Sequence, residues 1–211
     1  MTVVSLKTEE IQGSGLVKVE FSNGTSLLCA TDYLSEDQFP ESKNSVAQWE
    51  AGKELSAEEV EAFQFASLCY RAEKIALGLI ARAEQNSLGL AAKLERRGYD
   101  AAVVKMVVSQ LLKRNLLDDG RYAELWIRSR LALRKAPSPR WLLVSLVKRG
   151  IDRASALRAL TGALDPETEY TLLLKFLEKQ AVSEGKNARS LRNQLKYEGF
   201  SVDTLRKYFN D

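Results

Sequence analysis

LAAKLERRGY, residues 90–99, sets out a phrase: an apolar residue, three spacers, a leucine, three spacers, a glycine and a large apolar residue. It returns in LVSLVKRGI (143–151, with Leu142 leading) and in LRNQLKYEGF (191–200). Gly98, Gly150 and Gly199 are 52 and 49 residues apart, each four residues after Leu94, Leu146 or Leu195. Apolar residues four apart share one helical face, and a glycine just past the last of them is the favoured left-handed cap. Each phrase is therefore a short capped helix, with Tyr99, Ile151 or Phe200 folding back onto its last turn. One such helix per period of about fifty residues describes tandem units.

Working outward, the pattern is helical from about residue 57 to the end. Ser56 and Glu59 form a capping box ahead of the first long helix, whose buried face reads Ala72, Ile75, Ala76, Leu79, Ile80 and Ala83. Ser87 is expected to cap the second helix; Asp100 precedes AAVVKMVVSQLLKR, which Asn115 closes. The second unit runs through GRYAELWIRSRLALRK (120–135), is interrupted at Pro137 and Pro139, and continues in helices at 140–149 and 152–163. The third opens at Pro166 after Asp165 and runs through YTLLLKFLEKQA, ARSLRNQLKYEGF and VDTLRKYF. Upstream, residues 2–11, 15–21 and 25–30 read as strands, with Asn23-Gly24 as a hairpin turn. TDYLSEDQF reads as a short helix or turn, and PESKNSVAQWEAGKEL as a loop with a helical turn in it. The expected fold is mainly α: three tandem three-helix units in an elongated array behind a small N-terminal antiparallel β region. The segments are 1–55 (β-rich and acidic), 56–115, 116–164 and 165–211.

Composition narrows the function classes. With 45% hydrophobic and 28% charged residues the 211-residue chain is that of a folded soluble protein, and no apolar run nears the roughly 18 residues of a membrane span. MTVVSLKTEE lacks the basic flank and apolar core of a secretory signal, so a cytoplasmic location is expected. There is no histidine, which removes the commonest general base and metal ligand and with them triads, dyads and His-metal sites. Cys29 and Cys69 stand without a CxxC, so buried free thiols are expected rather than a zinc site or a disulfide. No cofactor or metal is called for.

Charge is unevenly spread. Residues 1–62 carry 4 Lys/Arg and 12 Asp/Glu, and residues 63–211 carry 27 and 16, so a head of net −8 precedes a body of net +11. The densest basic run holds Arg128, Arg130, Arg134, Lys135, Arg140, Lys148, Arg149, Arg153 and Arg158, opposed only by Asp152. A solvated helix face usually mixes signs, and this one scarcely does, which favours binding to phosphate or to an acidic protein face.

NLLDDGRYAELWIRSRL (115–131) is the most distinctive stretch. Asp118 and Asp119 sit where carboxylates satisfy helix N-terminal amides, and as neighbours with no third acid at a useful spacing they are caps rather than a metal or catalytic pair. Tyr122, Ala123, Leu125, Trp126 and Leu133 are expected to supply apolar bulk, with Trp126 in the core. Trp141, beside Arg140, reads equally as an interface aromatic and as a staple against the preceding helix.

With these residues in view the chain resembles the RecX family, bacterial regulatory proteins that bind RecA recombinase filaments. The resemblance rests on LLDDGRYAELWIRSR, on the leucine-glycine phrases, and on the NG-hairpin head joined to the helices through AGKELSAEE; it spans essentially the whole chain. It implies three tandem three-helix units lodged in the groove of the RecA filament on DNA. There they would modulate, with inhibition the expected sign, strand exchange, ATP hydrolysis and the coprotease activity that triggers the SOS response. It further implies no catalytic residues, and a weaker, salt-sensitive contact with single-stranded or double-stranded DNA. Protein and DNA contact would fall on Arg128, Arg130, Arg134, Lys135, Arg140, Lys148 and Arg149. No membrane is involved, and a capped array suits a monomer. Two departures stand out: APSPRW (136–141) replaces a glycine-containing turn, and Glu198 stands where the first two units have Arg97 and Arg149. The alternative is a free-standing helix-turn-helix-like DNA-binding regulator, against which the third helices, AAVVKMVVSQLL and RASALRALTGAL, are mainly apolar and poor in base-reading side chains.

Overall fold

A computed structural model describes residues 9–10, 15–34, 54–133, 136–180 and 187–210. They group into two compact units: residues up to Glu84 together with Leu90–Leu117, and Gln85–Gly89 together with the chain from Asp118 onward.

In the first unit three antiparallel strands, β1 (Glu9–Glu10), β2 (Leu16–Glu20) and β3 (Ser26–Ala30), lie in that order, with Leu16 opposite Ala30 and Glu20 opposite Ser26. Asn23-Gly24 makes the turn; Gly24 takes a φ of 82°, and its N–H donates to the Phe21 carbonyl. Only Glu9–Glu10 of the strand expected over 2–11 is described as strand. Val17 and Val19 alternate inward and are fully buried, as a half-buried strand requires. A 3-10 turn, Thr31–Tyr33, follows within TDYLSEDQF; residues 35–53, including most of PESKNSVAQWEAGKEL, lie outside the described residues.

Helix α1 (Ala57–Ile80) starts at the capping box: Glu59 N–H donates to Ser56 Oγ at 3.1 Å, and Ser56 N–H donates to Glu59 Oε2 at 2.8 Å. Its buried stripe is Phe63, Ala66, Cys69, Ala72 and Ala76, small enough for the sheet to pack closely against it. Cys29 and Cys69 are buried free thiols that burial pushes up to about 12, and Cys29 Sγ donates to the Phe63 carbonyl at 3.2 Å. Glu73, buried on the same helix, accepts from Tyr33 Oη at 3.0 Å and from the Arg114 guanidinium, so this buried carboxylate is paired where it sits. Helices α2 (Ser87–Glu95) and α3 (Ala101–Lys113) follow, and Asn115, at a φ of 54°, ends α3 in the left-handed region as expected.

The second unit holds α4 (Asp119–Leu131), α5 (Pro139–Val147), α6 (Arg153–Ala163), α7 (Pro166–Gln180), α8 (Ala188–Tyr197) and α9 (Val202–Phe209). Side chains of Ser138, Asp152, Asn187 and Ser201 cap four of these helices, and Pro139 at the first turn of α5 supplies a φ already suited to a helix. One core joins Ala123, Trp126, Ile127, Leu142, Leu146, Ile151 and Ala156; another joins Leu173, Phe176, Leu191, Leu195, Phe200 and Leu205.

The three phrases have one geometry. Gly98, Gly150 and Gly199 take φ values of 86°, 86° and 87°. The next residue's N–H returns to the leucine carbonyl in each: Tyr99 to Leu94 (3.4 Å), Ile151 to Leu146 (3.2 Å) and Phe200 to Leu195 (3.2 Å). Three expectations fail: Ala83, beyond the end of α1, is exposed rather than on its buried face, and two more concern α4. Helix α4 ends at Leu131 rather than 135, and Leu125 and Leu133, at 46% and 47% exposure, are not core. The buried face of α4 is Ala123, Trp126 and Ile127; Leu125 points off that stripe, and Leu133 lies past the helix end.

Candidate functional site

The DDG stretch builds the entry to α4. Asp118 is its N-cap, accepting from Gly120 N–H at 2.8 Å and Arg121 N–H at 3.0 Å. Asp119 does something the sequence reading missed: its Oδ1 accepts from Ser87 N–H at 2.7 Å and its Oδ2 from Ser87 Oγ at 2.6 Å. Ser87 is thus the first residue of α2, held by an acid 32 residues away, and not the cap expected of it. The two carboxylates serve different partners, and no group of three or more acidic, cysteine or histidine side chains among the described residues could hold a metal.

Residues next to Ser87 meet the end of α5. Asn86 Nδ2 donates to the Arg149 carbonyl at 2.6 Å, satisfying one of the orphan carbonyls at that helix C-terminus. Leu88 covers Gly150 so closely that a Cβ there would lie 2.6 Å from Leu88 Cδ2.

Beyond this joint α4 and α5 present aromatic rings and guanidinium groups together. Trp126, 8% exposed, is core as expected, while Trp141, 50% exposed, stacks on it with centroids 5.9 Å apart and planes at 22°. The stack is the staple against the preceding helix, and the residue remains half-exposed. Arg130 and Arg149 lie over the Trp126 ring, 5.0 and 4.5 Å from its centroid, and Arg149 Nη1 donates to the Ser145 carbonyl at 2.9 Å. Arg140 lies 4.0 Å from the centroid of Tyr197, and its N–H donates to the Glu198 carbonyl at 2.9 Å. Arg128 is exposed, 3.9 Å from Glu124, and Lys148 is exposed at the end of α5.

Of the seven basic residues singled out from sequence, Arg130 and Arg149 therefore meet on one indole and Arg140 sits on α8's tyrosine. Arg128 and Lys148 are separate surface charges, and Arg134 and Lys135 lie outside the described residues. Tyr122 packs at the edge of the α4–α6 core, and Ala123 is fully buried in it. Nothing in the local sequence marks Tyr197, Phe176 or Lys179 as neighbours of this cluster, since they come from later helices, 27 or more residues beyond Arg149. The nearest signal is the Arg140-Trp141 pair itself.

Fold and surface define a helical-repeat protein with an aromatic-cationic face and, among the described residues, no helix long and apolar enough to cross a membrane. No protein-family model matches the chain. A regulatory protein RecX of Treponema pallidum is 36% identical over 156 residues, which are 74% of this chain and 94% of that relative. In fold, the chain is similar to a crystal structure of regulatory protein RecX, with a TM-score of 0.68 at 19% identity over 100% of both chains. RecX from Lactobacillus salivarius gives 0.54 at 21% identity over 69% of this chain and 96% of its own. The chain belongs to the RecX family of regulatory proteins.

Proposed function

We propose that this protein is a non-enzymatic regulator that binds the RecA filament on DNA and modulates its recombinase, ATPase and coprotease activities. Inhibition is the expected sign, with consequences for DNA repair and the SOS response, and the site of action is the cytoplasm. The observation that carries this reading is family membership, at 36% identity across nearly the whole of a curated relative. The cations support it: Arg130 and Arg149 lie over one indole and Arg140 over the ring of Tyr197, while Arg128 and Lys148 are separate exposed charges of the same unit. A pre-positioned guanidinium loses less side-chain freedom on meeting a carboxylate or phosphate than a free one does. On this reading the divisions 56–115, 116–164 and 165–211 act as repeats of a monomer, and contact with single-stranded or double-stranded DNA is secondary and salt-sensitive.

The test is the DNA-dependent ATPase of the cognate RecA on single-stranded DNA, titrated with substoichiometric protein at two salt concentrations. A dose-dependent fall in rate is the expected result. An unchanged rate together with sequence-specific retention of duplex DNA would replace this reading with that of a free-standing helix-turn-helix-like regulator.

A further inference from the structure

Between α4, α5, α7 and the end of α8 the second unit holds a half-open cavity of about 640 Å³. Its walls include Arg130, Trp141, Arg149, Phe176, Lys179 and Glu198: three cationic side chains against one carboxylate, beside an indole. One face of Trp141 is taken by Trp126, and the residue is still 50% exposed. The Arg130 Nε is buried with no acceptor among the described residues, so any contact this guanidinium makes in the cavity falls to its terminal nitrogens.

We infer that this cavity is a subsite for one nucleotide of a single DNA strand, its base on the open part of Trp141 and its phosphate against Arg130 and Arg149. The inference rests on the filament reading above and assigns a place in it to the nucleic acid. An acidic peptide would use the cations and leave the indole wet, whereas a nucleotide uses both, as single-strand binders do with a π platform beside a cationic track. A duplex cannot serve, because its bases are already stacked on one another and the indole could reach none. The cavity volume lies within the range of sites that enclose a small organic group, and its open side leaves room for the strand to continue. Glu198 opposes the phosphate and limits affinity.

Tryptophan fluorescence of the full chain, titrated with oligothymidylate, reads this directly. Wild type is expected to quench on binding. Trp141→Ala is expected to bind roughly tenfold more weakly or worse and to lose most of the quench, while Trp141→Phe, which keeps a stacking ring, retains most of the affinity. Glu198→Gln is expected to tighten binding by a few fold, through loss of the opposing charge. Equal affinity in wild type and Trp141→Ala would overturn the assignment. So would oligoglutamate quenching as strongly as oligothymidylate, which would make the occupant an acidic protein segment, or thymidine monophosphate binding as tightly as the strand. The RecA ATPase titration with wild type, run in parallel, separates the two proposals. Modulation of the ATPase with oligonucleotide binding indifferent to Trp141 sinks the subsite alone. Trp141-dependent binding without any ATPase effect sinks the filament reading and leaves the subsite standing.

Discussion

Gly150 and Gly98 have the same φ of 86° but different surroundings: a Cβ at Gly98 meets nothing within 4 Å, and one at Gly150 runs into Leu88 Cβ at 2.8 Å as well as its Cδ2. Gly98→Ala should therefore cost only the left-handed backbone strain, about 1–2 kcal/mol. Gly150→Ala adds the displacement of Leu88, roughly 1–3 kcal/mol more. In thermal unfolding followed by circular dichroism, the Gly150 variant should melt several degrees below the Gly98 variant, at about 2–4 °C per kcal/mol for a chain of this size. Equal midpoints would mean that Leu88 moves aside freely. The same conformational demand makes the glycine recur; the steric demand comes from far along the chain, from Leu88, 62 positions earlier, at Gly150 and, more mildly, from the Arg140 backbone N at 3.1 Å, 59 positions earlier, at Gly199.

Helix ends here are held by acids in two ways. Asp119 takes both the N–H and the hydroxyl of Ser87, and buried Glu169 takes Ser201 N–H (2.7 Å), Ser201 Oγ (2.6 Å) and Thr204 Oγ1 (2.6 Å), so each locks a helix start to a distant helix. Glu169→Gln, which turns one acceptor oxygen into a donor facing donors, should cost about 2–3 kcal/mol by urea unfolding. By contrast, breaking the exposed Lys207–Glu167 ion pair with Lys207→Ala should cost less than about 1 kcal/mol. Asp152 and Asp165, local caps of α6 and α7, behave differently again. The hydroxyls of Ser155 and Thr168 are the chief cause holding their carboxyls below the usual aspartate range, with the amides of those residues adding to it. A carboxyl depressed in the folded state contributes stability that is present above its unfolded value and lost as pH falls through its folded one. Carboxyl titration by NMR should place both midpoints below that of an unstructured aspartate, and helicity at α6 and α7 should decline only as pH drops through them.

Across the chain, the asymmetry of charge, net −8 over residues 1–62 and net +11 over the remainder, predicts how association responds to salt. Each phosphate neutralised on a single strand contributes roughly −0.7 to the slope of log affinity against log salt. Removing Arg128 or Lys148, both exposed, should flatten that slope by about this amount per residue if they meet the strand, with little change in melting temperature. A slope identical to wild type in both variants would move the strand's path to the ring-held arginines.

Much of this architecture is legible locally. Leucines four apart, a glycine with no Cβ and a following large side chain specify a capped helix without help from the rest of the chain. The capping box at Ser56, the turn at Gly24 and the caps at Asp118 and Asp165 depend equally on near neighbours. These interactions span a handful of residues, so periodicity and cap chemistry reveal them. What local pattern could not supply is any pairing across many residues. The Asp119–Ser87 clamp, the Trp126–Trp141 stack with its two guanidiniums, and the cavity that draws Phe176, Lys179 and Glu198 to Trp141 all require helices to pack at particular angles. Leu125 and Leu133 show the same limit from the other side: hydrophobicity nominated them for the core, but which stripe of α4 is covered depends on where α5 and α6 lie. Burial is a property of the assembled surfaces, and side-chain type only sets the free energy at stake once those surfaces meet.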